Sequence, residues 1–388
     1  MDFSFTEGQD MLRVSARSFL ARECPKAKVR EMAKDERGYD PQLWDRMTEL
    51  GWMGLVFPEE YSGLAGSFMD LVILMEEMGR NILPGPFFST VALCALPLLE
   101  YGNSEQKTEF LPQIAKGEAI WTLALAESSG NYKASEVRLR AVSRGTDYIL
   151  EGHKLFVTDA HVADYVLVVG RTGDGESPED GITLFIVDAG NPNVKMEVIP
   201  TIGGDRQFKV SFGGVTVPED NILGKIGKGW DIVDFVLQRA AVLKCAEMSG
   251  ACQAVLDMTS SYAKERIQFD RPIGSFQAIQ HKLADMLIDA EAVQYLLYQA
   301  AWGMNVGSPS RWQISAAKAK ANEAYQRICI EGIAAHGAIG YTMDHDIGLY
   351  YRRVKAAQFA AGDTDLHREV IAAGLGFSSA RQGNFLTG

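Results

Sequence analysis

One carboxylate, Glu247, sits in the stretch LKCAEMSGAC (243–252) among small and apolar residues, with Lys244 as its charged neighbour. Two kinds of chemistry are open to it. On a helix, Lys244 and Glu247 form an i, i+3 pair, worth a few tenths of a kcal/mol at the surface. In a dry site, apolar surroundings raise a carboxyl towards neutrality and make it a general base. On a helix the residues three, four and seven away include Ala240, Leu243, Gly250, Ala251 and Ala254. That face leaves room for a ligand or lets another helix come very close.

Other acids have plainer readings. Asp344 and Asp346 in MDHDIG lack a further ligand at metal spacing and suit a helix N-terminus, so no metal is expected. Asp363 and Asp365 lie in QFAAGDTD near the C-terminus. The chain contains no GxGxxG, GxxxxGK[ST], HExxH or GxSxG, so the common dinucleotide, nucleotide, zinc-protease and serine-hydrolase signatures are missing. A net charge of −12 argues against nucleic acid and anionic membranes as partners. Five scattered cysteines without a CxxC fit reduced thiols, and no apolar run is long enough for membrane insertion. The expectation is a soluble, cytoplasmic protein.

The elements that must position these residues fall into three blocks. Residues 1–118 read as helical: Thr6 and Glu7 open a helix whose stripe is Met11, Val14, Phe19 and Leu20. Residues 119–228 switch to strand patterns in DYILEGHKLFVT, DYVLVVGRT, GITLFIVDAG, VKMEVIPT and KVSFGGVTVPE. Residues 229–388 return to helices near 231–266, 277–304, 309–335 and 343–373. Ser308-Pro309 supplies a start for the third of these and His336-Gly337 a stop. The predicted fold is α+β: an N-terminal helical domain, a central antiparallel β domain and a C-terminal four-helix bundle.

Four stretches, in order and well spaced, carry a family resemblance: LGWMGLVFPEEYSGLAGS, VPEDNILGKIGKGW, YAKERIQFDRPIGSFQAIQHKLADM and GAIGYTMDHDIGLYYRR. Together they resemble the acyl-CoA dehydrogenase family over nearly the whole chain. The resemblance implies an FAD flavoprotein oxidoreductase acting on a CoA thioester. It also implies an electron-transfer flavoprotein as acceptor and a tetramer, either homomeric or α2β2. In that chemistry a carboxylate removes the α proton while hydride leaves the β carbon for flavin N5.

The family's site residues carry over position by position. FVT (156–158) resembles the WIT element, with Phe156 packing on the flavin and Thr158 bonding near N5. LALAESSG (123–130) resembles the flavin loop, with Leu125 and Ala126 at the pyrimidine edge. Ala126 replaces the family's hydroxyl, and the following GSD element has become NYKASE. Arg266, Gln268 and Phe269 match residues that reach a neighbouring subunit's FAD pyrophosphate and adenine, and Gln277 matches another adenine contact. Gly337 matches a glycine that lets the backbone approach the pyrophosphate, but Ala334 and Ala338 stand where glutamine and glycine are usual.

The main departure is Ala361, which precedes Gly362 where many members carry the catalytic glutamate of a YEGT-like sequence. The chain therefore resembles a branch lacking that glutamate. Some branches place the base on the long helix after the β domain, and AE followed by glycine three residues on is one such pattern. Glu247 with Gly250 fits it. That branch is linked to bulky or cyclic acyl groups, such as steroid side chains and aromatic acids, and so to their degradation by β-oxidation. Two alternatives stay open: a non-catalytic partner subunit of a heteromer, and a non-oxidative elimination on the same fold.

Overall fold

The computed structural model describes residues 4–377. In chain order these form the helices α1 (Glu7–Glu23), α2 (Lys26–Met32), α3 (Pro41–Glu49), α4 (Phe68–Asn81), α5 (Leu96–Tyr101) and α6 (Ser104–Ala115). The strands β1 (Trp121–Ala124), β2 (Arg140–Arg144), β3 (Asp147–Thr158), β4 (Tyr165–Arg171), β5 (Ile182–Asp188), β6 (Val194–Ile199), β7 (Gln207–Pro218) and β8 (Ile222–Leu223) follow. Then come α7 (Trp230–Glu265), a hairpin of β9 (Ile267–Gln268) and β10 (Arg271–Pro272), α8 (Gln277–Asn305), α9 (Arg311–His336), α10 (Ile347–Ala357) and α11 (Thr364–Gly374). By compactness the chain divides into a unit of 30–66 with 84–240 and a unit of 1–29, 67–83 and 241–388.

The first unit is built on the sheet, whose path is β6-β7-β3-β2-β4-β5-β8 with β1 beside β4. Most pairings are antiparallel as expected, but β1 runs parallel to β4. β1, β2 and β8 are short strands without a clear alternation, and the sequence pattern did not reveal them. Alternate residues of β4 enter different cores. Leu167 and Val169 join Phe110, Ile114 and Ile232, whereas Val166 and Val168 join Val210, Phe212 and Val215. Both faces are covered, so the strand reads as one apolar run.

The second unit is helical. Its α1 opens with a capping box between Thr6 and Gln9. The expected apolar stripe is only partly right: Leu20 is buried, but Met11 and Val14 are exposed and Ala16 takes the inner position. α4 is buried over Leu71–Gly79, and it meets α7 at two glycines. A Cβ on Gly79 would fall 1.9 Å from the Glu247 carbonyl oxygen, and one on Gly250 would fall 1.8 Å from that of Glu76. The small-residue face around Glu247 is thus used for close helix packing.

Two expectations for the last helices are corrected. The α9 N-cap is Ser310, not Ser308, and no side chain caps it. The predicted fourth helix is two, α10 and α11, separated by a turn in which Ala361 has φ 56° and Gly362 φ 106°. Asp363 then restarts the helix by accepting the Leu366 N–H. A continuous helix is impossible through two left-handed residues.

Candidate active site

Glu247 lies on the part of α7 that belongs to the helical unit, and its side chain is largely buried. Lys244 Nζ donates to its carboxylate one turn away, and Lys244 is itself only 8% exposed. The pair therefore exists, but it is not a surface pair. Burial pushes the Glu247 carboxyl up, yet the charges of Lys244 and Arg353, the Lys244 hydrogen bond and Lys318 together hold it below its ordinary value. An apolar pocket that raises the carboxyl was the expectation; what the fold provides is a cationic one.

The second neighbour of interest is Lys318 on α9, which is fully buried. Its Nζ donates to the carbonyls of Ala357 at 3.2 Å and Gly362 at 3.1 Å and to Asn322 Oδ1 at 2.7 Å. Burial pushes its ammonium down to about 7. From the other side His367 holds the Ala361 carbonyl at 3.0 Å. The turn carrying Ala361 is thereby pinned next to the cluster that surrounds Glu247. The nearby aspartates are engaged elsewhere: Asp363 caps α11, and Asp365 pairs with Arg368 in solvent.

A buried acid that the sequence reading missed is Glu76 on α4, which accepts from Ser249 Oγ and Tyr298 Oη, both at 2.8 Å. Burial pushes its carboxyl up to about 7. Ser249 is two residues from Glu247, roughly 200° around α7, so Glu76 faces away from the Glu247 cluster. Its sequence signal, a charge inside the apolar run LVILMEEMG, resembles that of any amphipathic helix edge.

In the sheet unit, the loop bearing Leu125 and Ala126 joins the end of β3: the Leu155 N–H donates to the Ala126 carbonyl at 2.8 Å. Phe156 is 48% exposed, has φ 56° and lies close to Gly130 of that loop. The Thr158 carbonyl accepts from Thr122 Oγ1 at 2.5 Å, and its side chain is half-buried. Leu125, Ala126, Phe156 and Thr158 are thus brought together.

In the helical unit, Tyr262 stacks on His336 at 4.4 Å, tying the ends of α7 and α9 together. Arg266 lies one turn beyond Tyr262, and Gly337 directly follows His336. Between β9 and β10 the two turn residues, Phe269 and Asp270, both have positive φ, 52° and 63°. Hairpins favour this turn, but it normally takes Asn-Gly. Phe269 is 85% exposed and meets Phe276 edge-on at 6.0 Å. Strain of this kind is held in place where a site needs it. Gln268 is also exposed, and Gln277 begins α8 beside Phe276. Arg266 is exposed, and no ion pair engages it among the described residues. Gly337 has φ 68° with open space where a Cβ would stand. A bare backbone, a free guanidinium and an exposed aromatic suit a dinucleotide's phosphates and ring.

Known proteins share the sequence and fold of this chain. The chain matches the acyl-CoA dehydrogenase N-terminal domain over 6–118, the middle domain over 122–214 and the C-terminal domain over 227–376. It belongs to the acyl-CoA dehydrogenase family, whose members are FAD-binding flavoproteins. The chain is 32% identical to a probable acyl-CoA dehydrogenase, YngJ, of Bacillus subtilis (strain 168), over 96% of this chain and 99% of that one. It is 31% identical to the caffeyl-CoA reductase-Etf complex subunit CarC of Acetobacterium woodii, over 95% and 98%. Among solved structures it resembles butyryl-CoA dehydrogenase of Megasphaera elsdenii, with TM-score 0.90, 28% identity and coverage of 97% and 100%. It also resembles the ChsE4-ChsE5 complex of Mycobacterium tuberculosis, with TM-score 0.89, 28% identity and coverage of 98% and 100%. A Tcur3481-Tcur3483 steroid ACAD variant gives TM-score 0.86 at 29% identity, covering 95% and 99%. The chain is an acyl-CoA dehydrogenase-family enzyme, and among its described residues no helix is long and apolar enough to cross a membrane.

Proposed function

We propose that the chain carries out α,β-dehydrogenation of an acyl-CoA with a bulky or cyclic acyl group, with Glu247 removing the α proton. One observation carries the reading. Lys318 is both a neighbour of the Glu247 carboxylate and the donor that pins the Ala361–Gly362 turn. The acid missing at Ala361 therefore has a substitute in the same cluster.

FAD, when bound, supplies the two-electron oxidant that takes up the β hydride. Leu125, Ala126, Phe156 and Thr158 would line its ring. Arg266, Gln268, Phe269, Gln277 and Gly337 would meet a pyrophosphate and adenine, with Arg266 gripping phosphate oxygens in a fork. Glu247 is ionised at neutral pH, the form a base needs, but its cationic neighbours make it a weak one. A substrate that displaces the Lys244 side chain would raise its basicity where and when a proton is to be taken.

The named relatives support the substrate class and partners: one is named for caffeyl-CoA and an Etf complex, another for a steroid and two proteins. By that likeness the acceptor is an electron-transfer flavoprotein; a tetramer, homomeric or α2β2, is what the family resemblance implies. Anaerobic titration tests the reading. The purified chain should be yellow and bleach with an aromatic or alicyclic acyl-CoA, and failure to bleach with any CoA thioester would overturn it. The Lys244–Glu247 lock favours a second reading, a partner subunit without chemistry of its own. That reading predicts a colourless chain that takes up FAD only with a second polypeptide.

A further inference from the structure

The loop with Leu125 and Ala126 and the strand end with Phe156 and Thr158 are joined by a buried ion pair that the flavin contacts do not themselves require. Lys154 is fully buried, and its Nζ donates to Glu127 Oε1 at 2.7 Å and to the Leu125 carbonyl at 3.0 Å. The same Glu127 oxygen accepts the backbone N–H groups of Arg138 and Leu139 at 2.9 and 3.0 Å. Arg171 in turn holds the carbonyls of Ala134 and Val137 at 2.8 Å each, just before those two amides.

Strand geometry shows what the pair achieves. In a regular strand Lys154 and Phe156 would share a face. The β3–β7 register breaks between Lys154 and Val157, and Phe156 takes φ 56°. That bulge sends Lys154 inward and leaves Phe156 half in solvent. A fully buried lysine is costly to desolvate, and replacing such a pair by apolar residues is often neutral for stability. Its position joins the residue after Ala126 to the residue two before Phe156, which is where the two flavin segments must be held at a fixed spacing.

We propose that Lys154 and Glu127 are positioning residues for the flavin: their ion pair sets the separation of the 125–126 loop from the Phe156–Thr158 strand end. The inference rests on the assignment of those four residues to FAD. Its test compares deflavinated wild-type chain with the neutral double variant Lys154→Met/Glu127→Gln, which leaves no unpaired buried charge. FAD is titrated by quenching of flavin fluorescence, and the visible band and melting of each protein are recorded.

The double variant should melt cooperatively yet bind FAD about 10- to 100-fold more weakly, by analogy with the loss of a group that orients a metal ligand. Its bound-flavin band should be shifted, which a purely structural pair would not cause. Lys154→Gln/Glu127→Gln is likewise neutral, keeps a donor opposite the acceptor oxygen, and is the second variant if the first fails to fold; it should move both readouts in the same sense. Unchanged FAD affinity and an unchanged band in a folded variant would overturn the proposal. Wild-type chain that takes up no FAD would instead overturn the flavin assignment itself.

Discussion

Lys244 and Glu247, one turn apart on α7, form a hydrogen-bonded ion pair in which both side chains are largely buried. This single contact decides how the proposed proton abstraction must work. A carboxylate held by an ammonium is charged and ready, but it is reluctant to accept a proton until the ammonium leaves.

Replacing the carboxylate tests its role directly. Glu247→Gln should retain FAD and substrate binding while anaerobic flavin reduction slows by about 10²- to 10⁴-fold, the usual contribution of a general base. Stopped-flow reduction at wild-type rate would end the assignment.

Replacing its partner tests the lock. In Lys244→Met the carboxyl loses its hydrogen bond and nearest charge, so its pKa must rise. The acid limb of the reduction rate should then move to higher pH than in wild type. Stability should respond too. Glu247 is held below its ordinary value, so its contribution is present above the unfolded-state pKa and lost as pH falls through the folded one. Lys244→Met should blunt that acid-side loss in urea titrations.

Glu76 gives the opposite sign. Its carboxyl is raised to about 7, so between about pH 4.5 and 7 the native state binds more protons than the unfolded chain and stability falls as pH rises. The accumulated penalty is about 3 kcal/mol. Glu76→Gln keeps an acceptor for Ser249 and Tyr298 without titrating. Relative to wild type it should gain roughly that amount between pH 4 and pH 8, measured by urea denaturation at each pH.

The β9–β10 turn separates function from stability. Phe269→Gly places the residue best suited to φ 52° where a phenylalanine now sits. The chain should be no less stable, within about 1 kcal/mol. It should hold FAD more weakly, as read by the flavin released on dilution. Unchanged retention would remove Phe269 from the cofactor site.

Much of this protein was legible in its residues. The long helices α7, α8 and α9 read as long stretches with little proline, and the strands β3 to β7 as runs rich in Val, Ile, Thr and aromatics, alternating in β3 and β7 and apolar on both faces in β4 and β5. The segments proposed to hold flavin and the residues Arg266, Gln268 and Phe269 around β9 were singled out by family resemblance, since such chemistry depends on residue type at fixed local spacing. The break between α10 and α11 was not visible, because Ala361 favours helix by propensity and the turn is held by Lys318, 44 residues before Gly362, as well as by the nearby His367. β1 stayed hidden for a related reason: it pairs in parallel with β4, a partner some 40 residues on.

The opening carboxylate shows the same division. By itself the sequence determined that Glu247 stands in a small-residue stretch of a long helix, within reach of Lys244, while position 361 carries no acid. Only the tertiary structure decided that the pair is buried, that Arg353 and Lys318 join it, and that the carboxyl is lowered rather than raised. Electrostatics in a packed interior depends on which charges the fold brings close, and those charges come from α9 and α10, some 70 to 100 residues further along the chain.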